Sequence, residues 1–349
     1  MTSIGANIHL PPRPRILIIL MGSLGDVTRG LCVVSQIKRV FADASITWLV
    51  EDKWAELVRL HPQIDRVLIF ERNSKVVGTF RLQRELRAAR FDISFDMQRI
   101  LKSGICAWLT GAKWRVGFHP KDSKEGNHFF NNCYIEYQGE HSSKTLHYLK
   151  FVEKLGIEVS FPLDFGIRGI DLRVLAPHLA EKLTGRYVVL VLGSSWQSKN
   201  WTEAGYRGLL EKLLGHGGYG VVLVGASSQA VLARELAAGS GILNLVGETS
   251  LTELVGVLKG ASAAIGPDSG PGHVAAALGV PYLALIGPTA AVRVAPYGSE
   301  ELVVESHQLC APCYQRRCPG MQERCMREIR AEMVWEKLQV IINEESQHA

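Results

Sequence analysis

AAIGPDSGPGHVAAALGVPYLALIGPT, residues 263–289, is the stretch that decides the fold. A short apolar run, Ala263–Ile265, meets a glycine-rich break, a small-residue helical stretch follows to Gly279, and a second apolar run, Pro281–Ile286, begins at once. Strand, helix and strand in so few residues predict a βαβ unit with parallel, buried strands. The break itself, Gly266-Pro267-Asp268-Ser269-Gly270-Pro271-Gly272-His273, puts an acid, a hydroxyl and glycines at the strand-to-helix junction. Backbone N–H groups and the positive dipole end at the start of a helix make a cradle for an anion such as a phosphate. As structure alone, Asp268 or Ser269 caps that helix and His273 is a satisfied buried histidine; a cap and an anion site are compatible.

The same alternation extends outward in both directions. Strands are predicted at Tyr187–Leu192, Gly220–Val224 and Leu243–Val246 before this unit. In the first half they fall at Arg15–Met21, Ile46–Val50, Val67–Phe70, Asp92–Asp96 and Arg115–Phe118. Helical spacing marks Val27–Phe41, Trp54–Leu60, Arg81–Arg90 and, near the end, Glu332–Asn343. With 349 residues and 47% hydrophobic content the chain can fill two cores. Breakers between Gly156 and Arg186, among them Pro162, Gly166 and Pro177, mark the connection. The reading is α/β, with a domain over 1–165, a linker over 166–186, a second domain over 187–330 and a helix over 331–349. Two doubly wound, Rossmann-like domains facing a central cleft would hold ligands at the carboxyl ends of their strands.

Charge is unevenly spread. Residues 1–150 carry 22 basic against 14 acidic side chains, a net +8, and the remainder carries 17 against 20, a net −3. A basic first half suits an anionic partner: nucleic acid, a phosphorylated glycolipid or a membrane surface, if it is not simply a solvated face. No apolar run reaches the roughly eighteen residues of a membrane span, and the patch Ile16–Met21 reads as the first strand and not as an export signal. Seven cysteines without such a signal point to a reducing, cytoplasmic compartment.

Three further features bear on chemistry. Gly22-Ser23-Leu24-Gly25-Asp26-Val27 joins the first strand to the first helix, but Leu24 and Val27 stand where a dinucleotide fingerprint needs glycine. Asp26 is there either a helix N-cap or a carboxylate able to take a proton from a hydroxyl. In Gly193-Ser194-Ser195-Trp196-Gln197-Ser198-Lys199-Asn200-Trp201, small hydroxyls followed by Lys199 suit a phosphate, although the tryptophans could only close the core. Cys310, Cys313, Cys318 and Cys325 either hold one structural zinc or stand as free thiols; four thiolates would leave no open catalytic position.

In this order the motifs resemble the heptosyltransferase family, glycosyltransferase family nine, of lipopolysaccharide core assembly. The likeness runs through Gly25-Asp26-Val27, Ser194–Trp201, Gly266–His273 and Gly287-Pro288-Thr289. It implies a GT-B fold and inverting transfer of heptose from ADP-heptose to a lipid A-linked inner-core acceptor, without nucleic acid and without a catalytic cofactor. By resemblance Asp26 is the general base. Ser194, Ser195 and Lys199 contact the donor phosphates, Asp268, Ser269, Gly270 and His273 hold the diphosphate and sugar, and Gln229 lies near the nucleoside. Gly25 would lie on the acceptor side, and from the basic charge of the first half Lys102, Lys113, Lys121 and Lys124 would attract an anionic glycolipid there, with peripheral contact at the inner membrane. Thr28-Arg29-Gly30 departs from the family's usual sequence after Gly-Asp-Val, which opens the acceptor preference. Other readings are a GT-B transferase or epimerase using another nucleotide-sugar, or a non-catalytic nucleotide- or glycolipid-binding protein. An NAD oxidoreductase is weakened by the missing fingerprint.

Overall fold

Arg15–Ile19 is apolar on both faces and forms β1, fully buried from Ile16 onward in the middle of a parallel sheet. The computed structural model describes residues 8–71, 76–139, 141–169, 171–320 and 322–347, which divide into two units at Ile167/Arg168. In unit 1, β2 (Ser45–Glu51), β3 (Arg66–Phe70), β4 (Ile93–Asp96), β5 (Trp114–Gly117) and β6 (Cys133–Tyr134) join β1 in the order β3-β2-β1-β4-β5-β6. Its helices are α1 (Leu24–Val40), α2 (Asp52–Arg59), α3 (Val76–Ala88), α4 (Leu101–Leu109) and α5 (Lys144–Glu153).

Unit 2 repeats the plan. Its strands are β7 (Tyr187–Leu192), β8 (Gly220–Gly225), β9 (Leu243–Asn244), β10 (Ala263–Pro267), β11 (Tyr282–Ile286) and β12 (Val304–Glu305), in the order β12-β11-β10-β7-β8-β9. Helices α6 (Leu172–Leu175), α7 (Pro177–Ala180), α8 (Glu203–His216), α9 (Ala230–Ala237) and α10 (Leu251–Lys259) precede the junction helix α11 (Gly270–Ala277). After it come α12 (Ala291–Val294), α13 (Arg324–Glu328) and α14 (Ala331–Gln347). All strand pairs in both sheets are parallel, so each unit is a doubly wound sheet whose order reverses at its centre.

Aromatic polar tips fasten unit 2. The Trp201 indole N–H donates to Ile329 O at 2.7 Å, and the Tyr206 hydroxyl donates to Val191 O at 2.9 Å. The Tyr282 hydroxyl donates to Pro267 O at 2.8 Å, and its ring leaves no room at Gly272, where a Cβ would stand 2.4 Å from Cε1. That glycine is required for β11 to pack against the start of α11.

The expected strands appear within a few residues of their predicted limits. Sequence periodicity misses α4 and α5, for opposite reasons. α4 is apolar nearly all round, and α5 buries polar side chains, Thr145 and His147, so neither shows the apolar stripe that marks a surface helix. β6 and β12 are two-residue edge strands with too little pattern to read. Residues 348–349 of the expected terminal helix lie outside the described residues. Among the described residues no helix is long and apolar enough to cross a membrane.

Candidate functional site

The sheet of unit 1 reverses order between β1 and β4, so the loops after these two strands part and open a crevice at their carboxyl ends. Asp26 follows β1 there. The helix-cap reading of this residue is corrected: Ser23 is the N-cap of α1, and Asp26 stands three residues later, in the first turn. Its carboxylate accepts from Ser23 Oγ at 3.1 Å, Arg29 Nη1 at 3.0 Å and Lys144 Nζ at 3.2 Å. The Tyr148 hydroxyl is hydrogen-bonded to it as well. Burial by itself pushes the Asp26 carboxyl up, but Lys144 and then Arg29 more than offset this and hold it well below the usual carboxylate range. Burial, and next the Asp26 charge, push the Tyr148 hydroxyl up, so it stays a neutral donor.

A second layer fixes the loop. Gln98, just after β4, accepts from the backbone N–H of Met21 at 2.8 Å and of Gly22 at 3.1 Å. Asp96, fully buried at the end of β4, accepts from Gln98 N at 3.2 Å, Asn127 Nδ2 at 2.5 Å and Asn131 Nδ2 at 3.3 Å. Burial raises its carboxyl pKa against these hydrogen bonds, which favour the charged form. The backbone ahead of Asp26 is therefore tied to the neighbouring strand. Gly25 is buried beside Asp26, in the first turn of α1. Lys121 and Lys124 are exposed on the loop after β5; the N–H of Lys124 donates to Arg99 O at 3.0 Å, which brings this loop against the β4 end.

In unit 2 the order reverses between β7 and β10, and the two predicted donor motifs follow these strands. The structure brings them together. Lys199 Nζ donates to Asp268 Oδ2 at 2.6 Å, Thr289 Oγ1 donates to the same oxygen at 3.3 Å, and His273 Nε2 stands 3.5 Å from Oδ1. Ser194 Oγ donates to Asp268 O at 3.0 Å, and Ser194 N to Asn200 Oδ1 at 2.8 Å. Gln229 lies against Gly193: with φ at +80°, a Cβ on that glycine would stand 2.6 Å from the Gln229 amide nitrogen. Ser269 is the N-cap of α11 and Gly270 its first residue, as the cap reading of the sequence allowed. Ser195 is exposed on the same loop. The Lys199 ammonium also lies 4.3 Å from the centroid of the Trp196 ring, with the Arg316 guanidinium 5.7 Å from that ring.

The zinc reading of Cys310, Cys313, Cys318 and Cys325 gains no support from their positions. Among the described residues, no group of three or more His, Cys, Asp or Glu side chains stands in metal-holding geometry. Cys310 is exposed, and Cys325 is buried against Gly287, where a Cβ would stand 2.9 Å from its sulfur. The segment carrying these cysteines instead braces the donor loop. Ser198 N donates to Arg316 O at 3.2 Å, Ser198 Oγ to Gln315 O at 2.6 Å, and Tyr314 N to Pro288 O at 2.8 Å.

Sequence reasoning missed Lys144, Tyr148 and Gln98 around Asp26 and Arg316 beside Trp196, and gave no such role to Arg29, Asn200 or Thr289. Arg29 was accessible, since three residues along a helix is one turn from Asp26. Lys144 is 118 residues from Asp26 and nothing local announces the pair.

The profile of glycosyltransferase family 9 (heptosyltransferase) matches residues 79–322. Lipopolysaccharide heptosyltransferase 1 of Pseudomonas aeruginosa is 30% identical over 336 residues, covering 91% of this chain and 92% of its own. The structure of E. coli ADP-heptose lps heptosyltransferase II aligns with a TM-score of 0.78 at 20% identity, over 95% of this chain and 99% of that one. E. coli heptosyltransferase WaaC with ADP aligns at 0.72 and 22%, over 94% and 99%. Both solved structures share the fold of two doubly wound units.

Proposed function

This chain belongs to glycosyltransferase family 9, and from that premise we propose that it moves a heptose from ADP-heptose to an inner-core acceptor of lipopolysaccharide, with inversion. The observation that carries the reading is the gathering of Ser194, Lys199, Asp268, Thr289 and His273 at the strand-order reversal of unit 2. Unit 1, including residues 1–165, is the acceptor side, and residues 187–330, followed by the helix over 331–349, are the donor side.

In one displacement, Asp26 takes the proton of an acceptor hydroxyl as that oxygen bonds to the anomeric carbon. The bond from that carbon to the β-phosphate oxygen breaks, and ADP departs with its electron pair. Lys199, His273 and the N–H groups opening α11 take up the developing charge, with Ser194 and Ser195 donating hydrogen bonds and Gln229 beside the nucleoside. The Lys199 charge and the positive end of α11, with hydrogen bonds from His273 and the serines, can offset the diphosphate, so the proposed reaction needs no divalent ion. Purified protein with ADP-heptose and truncated core lipids, followed by mass spectrometry in EDTA, should show transfer. Tight ADP binding without transfer to any such lipid would move the reading to another sugar or acceptor.

A carboxylate clamped by two cations is a weak base, and the acceptor's own anionic groups supply the remedy by drawing Lys144 away. Asp26 works deprotonated and its pKa in the free protein is depressed, so wild-type kcat/KM should have no acidic limb in the ordinary carboxylate range. Lys144→Met raises that pKa, and kcat/KM should then fall by roughly tenfold per pH unit below the raised value. An acid limb that does not move in the variant would separate Lys144 from the base. Lys121 and Lys124, with the +8 of residues 1–150, support attraction of a phosphorylated glycolipid and peripheral contact at the cytoplasmic face of the inner membrane.

A further inference from the structure

Helix α4 is built inside out. Its fully buried positions hold only small residues, Ser103, Gly104, Cys106 and Ala107, and of its large apolar side chains only Leu109 packs partly inward while Leu101, Ile105 and Trp108 face solvent. Leu101, Ile105 and Trp108 are 40%, 37% and 53% exposed, and their spacing puts them on one face. A helix stabilised only from within would do the reverse.

The neighbours extend this face. On one flank the turn Asn127–Phe130 packs against Gly104, where a Cβ would stand 2.9 Å from Asn127 Nδ2, and it carries Phe129, 80% exposed. On the other flank a groove of about 420 Å³ runs along the edge strand β3, with Leu82, Ile105 and Leu109 among its apolar walls and Lys102 at its rim. Beyond it, α3 presents Phe80, Arg84 and Arg87 to solvent. Among the acids here Glu85 pairs with Arg66 and Arg81 and Glu125 accepts from Leu101 N at 3.2 Å, while Glu71 lines the groove against the cations of Lys102, Arg84 and Arg87.

We propose that this face, α4 with Phe129 and the basic side of α3, docks on an anionic lipid surface. Large apolar side chains including a tryptophan, ringed by lysine and arginine, suit the boundary between headgroups and acyl chains. A protein partner would leave the surplus of positive charge unused. The placement deepens the proposed function and rests on it: Gln98, two residues before the N-cap of α4, holds the loop that leads to Asp26. A docked α4 therefore brings the base of unit 1 to the surface in which a lipid-linked acceptor lies.

The test is flotation of the full chain with vesicles of phosphatidylglycerol and phosphatidylethanolamine, against phosphatidylcholine alone. Wild-type protein should bind the anionic vesicles, less so at high salt, and the double variant Ile105→Glu, Trp108→Glu should bind at least about tenfold more weakly. Both positions are exposed, so a matching melt is expected, and transfer to a deacylated, soluble acceptor should be unchanged. Equal binding of variant and wild type, or equal binding to neutral vesicles, overturns the proposal. So does a variant that dissolves a dimer while keeping vesicle binding, which makes the face a contact between copies. Wild-type failure on the soluble acceptor would instead count against the proposed reaction, because vesicle binding is read separately.

Discussion

Asp26→Asn is expected to lower kcat by roughly 10²- to 10⁴-fold, the range a positioned general base contributes. Affinity for ADP should stay where it is, because the groups proposed to hold ADP all belong to unit 2. Asparagine keeps the shape of the side chain and one acceptor oxygen, so Ser23 and Tyr148 retain a partner. What it cannot do is take a proton. Arg29 and Lys144 lose their shared anion, which should cost about 1–3 kcal/mol of stability, so a thermal melt accompanies the kinetics. Single-turnover transfer and ADP titration calorimetry separate the two effects. A folded Asn variant keeping more than about a tenth of the wild-type rate would remove Asp26 from the role of base.

The two half-sites differ in how far they could be read from sequence, and the cause is contact distance along the chain. Ser194 and Lys199 share one loop, and Asp268 and His273 share one junction, each placed by a strand whose apolar run is plain. Two loops after the central strands of a doubly wound sheet border the same crevice, so the neighbourhood of Lys199 and Asp268 follows from local patterns plus topology, and the structure adds their 2.6 Å contact. The setting of Asp26 has no such shortcut. Its position at the end of β1 was legible, but its protonation behaviour depends on Lys144, carried by α5, a helix that sequence periodicity does not reveal. The cysteine tail was legible only as two alternatives, one zinc or free thiols. Spacing could not choose between them, nor show that this loop's backbone at Gln315 and Arg316 accepts from Ser198 and so braces the donor loop.

Lys199→Met should damage both donor binding and turnover, with kcat lowered by roughly 10²- to 10³-fold, the scale for removing one preorganised donor to a developing negative charge. Two losses combine. The ammonium no longer meets the departing diphosphate, and Asp268, nearly buried, keeps a charge that Lys199 had balanced at 2.6 Å. Thr289 and His273 still face that carboxylate, but they do not supply a fixed positive charge. An anion beside an anion site repels the ligand, so the ADP dissociation constant should rise by at least about tenfold. The double variant Lys199→Met, Asp268→Asn distinguishes the two causes, because residues in direct contact do not add. If repulsion by Asp268 dominates, the second substitution restores ADP affinity while kcat stays low. If Lys199 acts through its own contact with the phosphates, neither is restored. Wild-type affinity and turnover in Lys199→Met itself would confine this lysine to anchoring its loop under Trp196, and would leave the N–H groups of α11 with His273 as the means of holding the diphosphate.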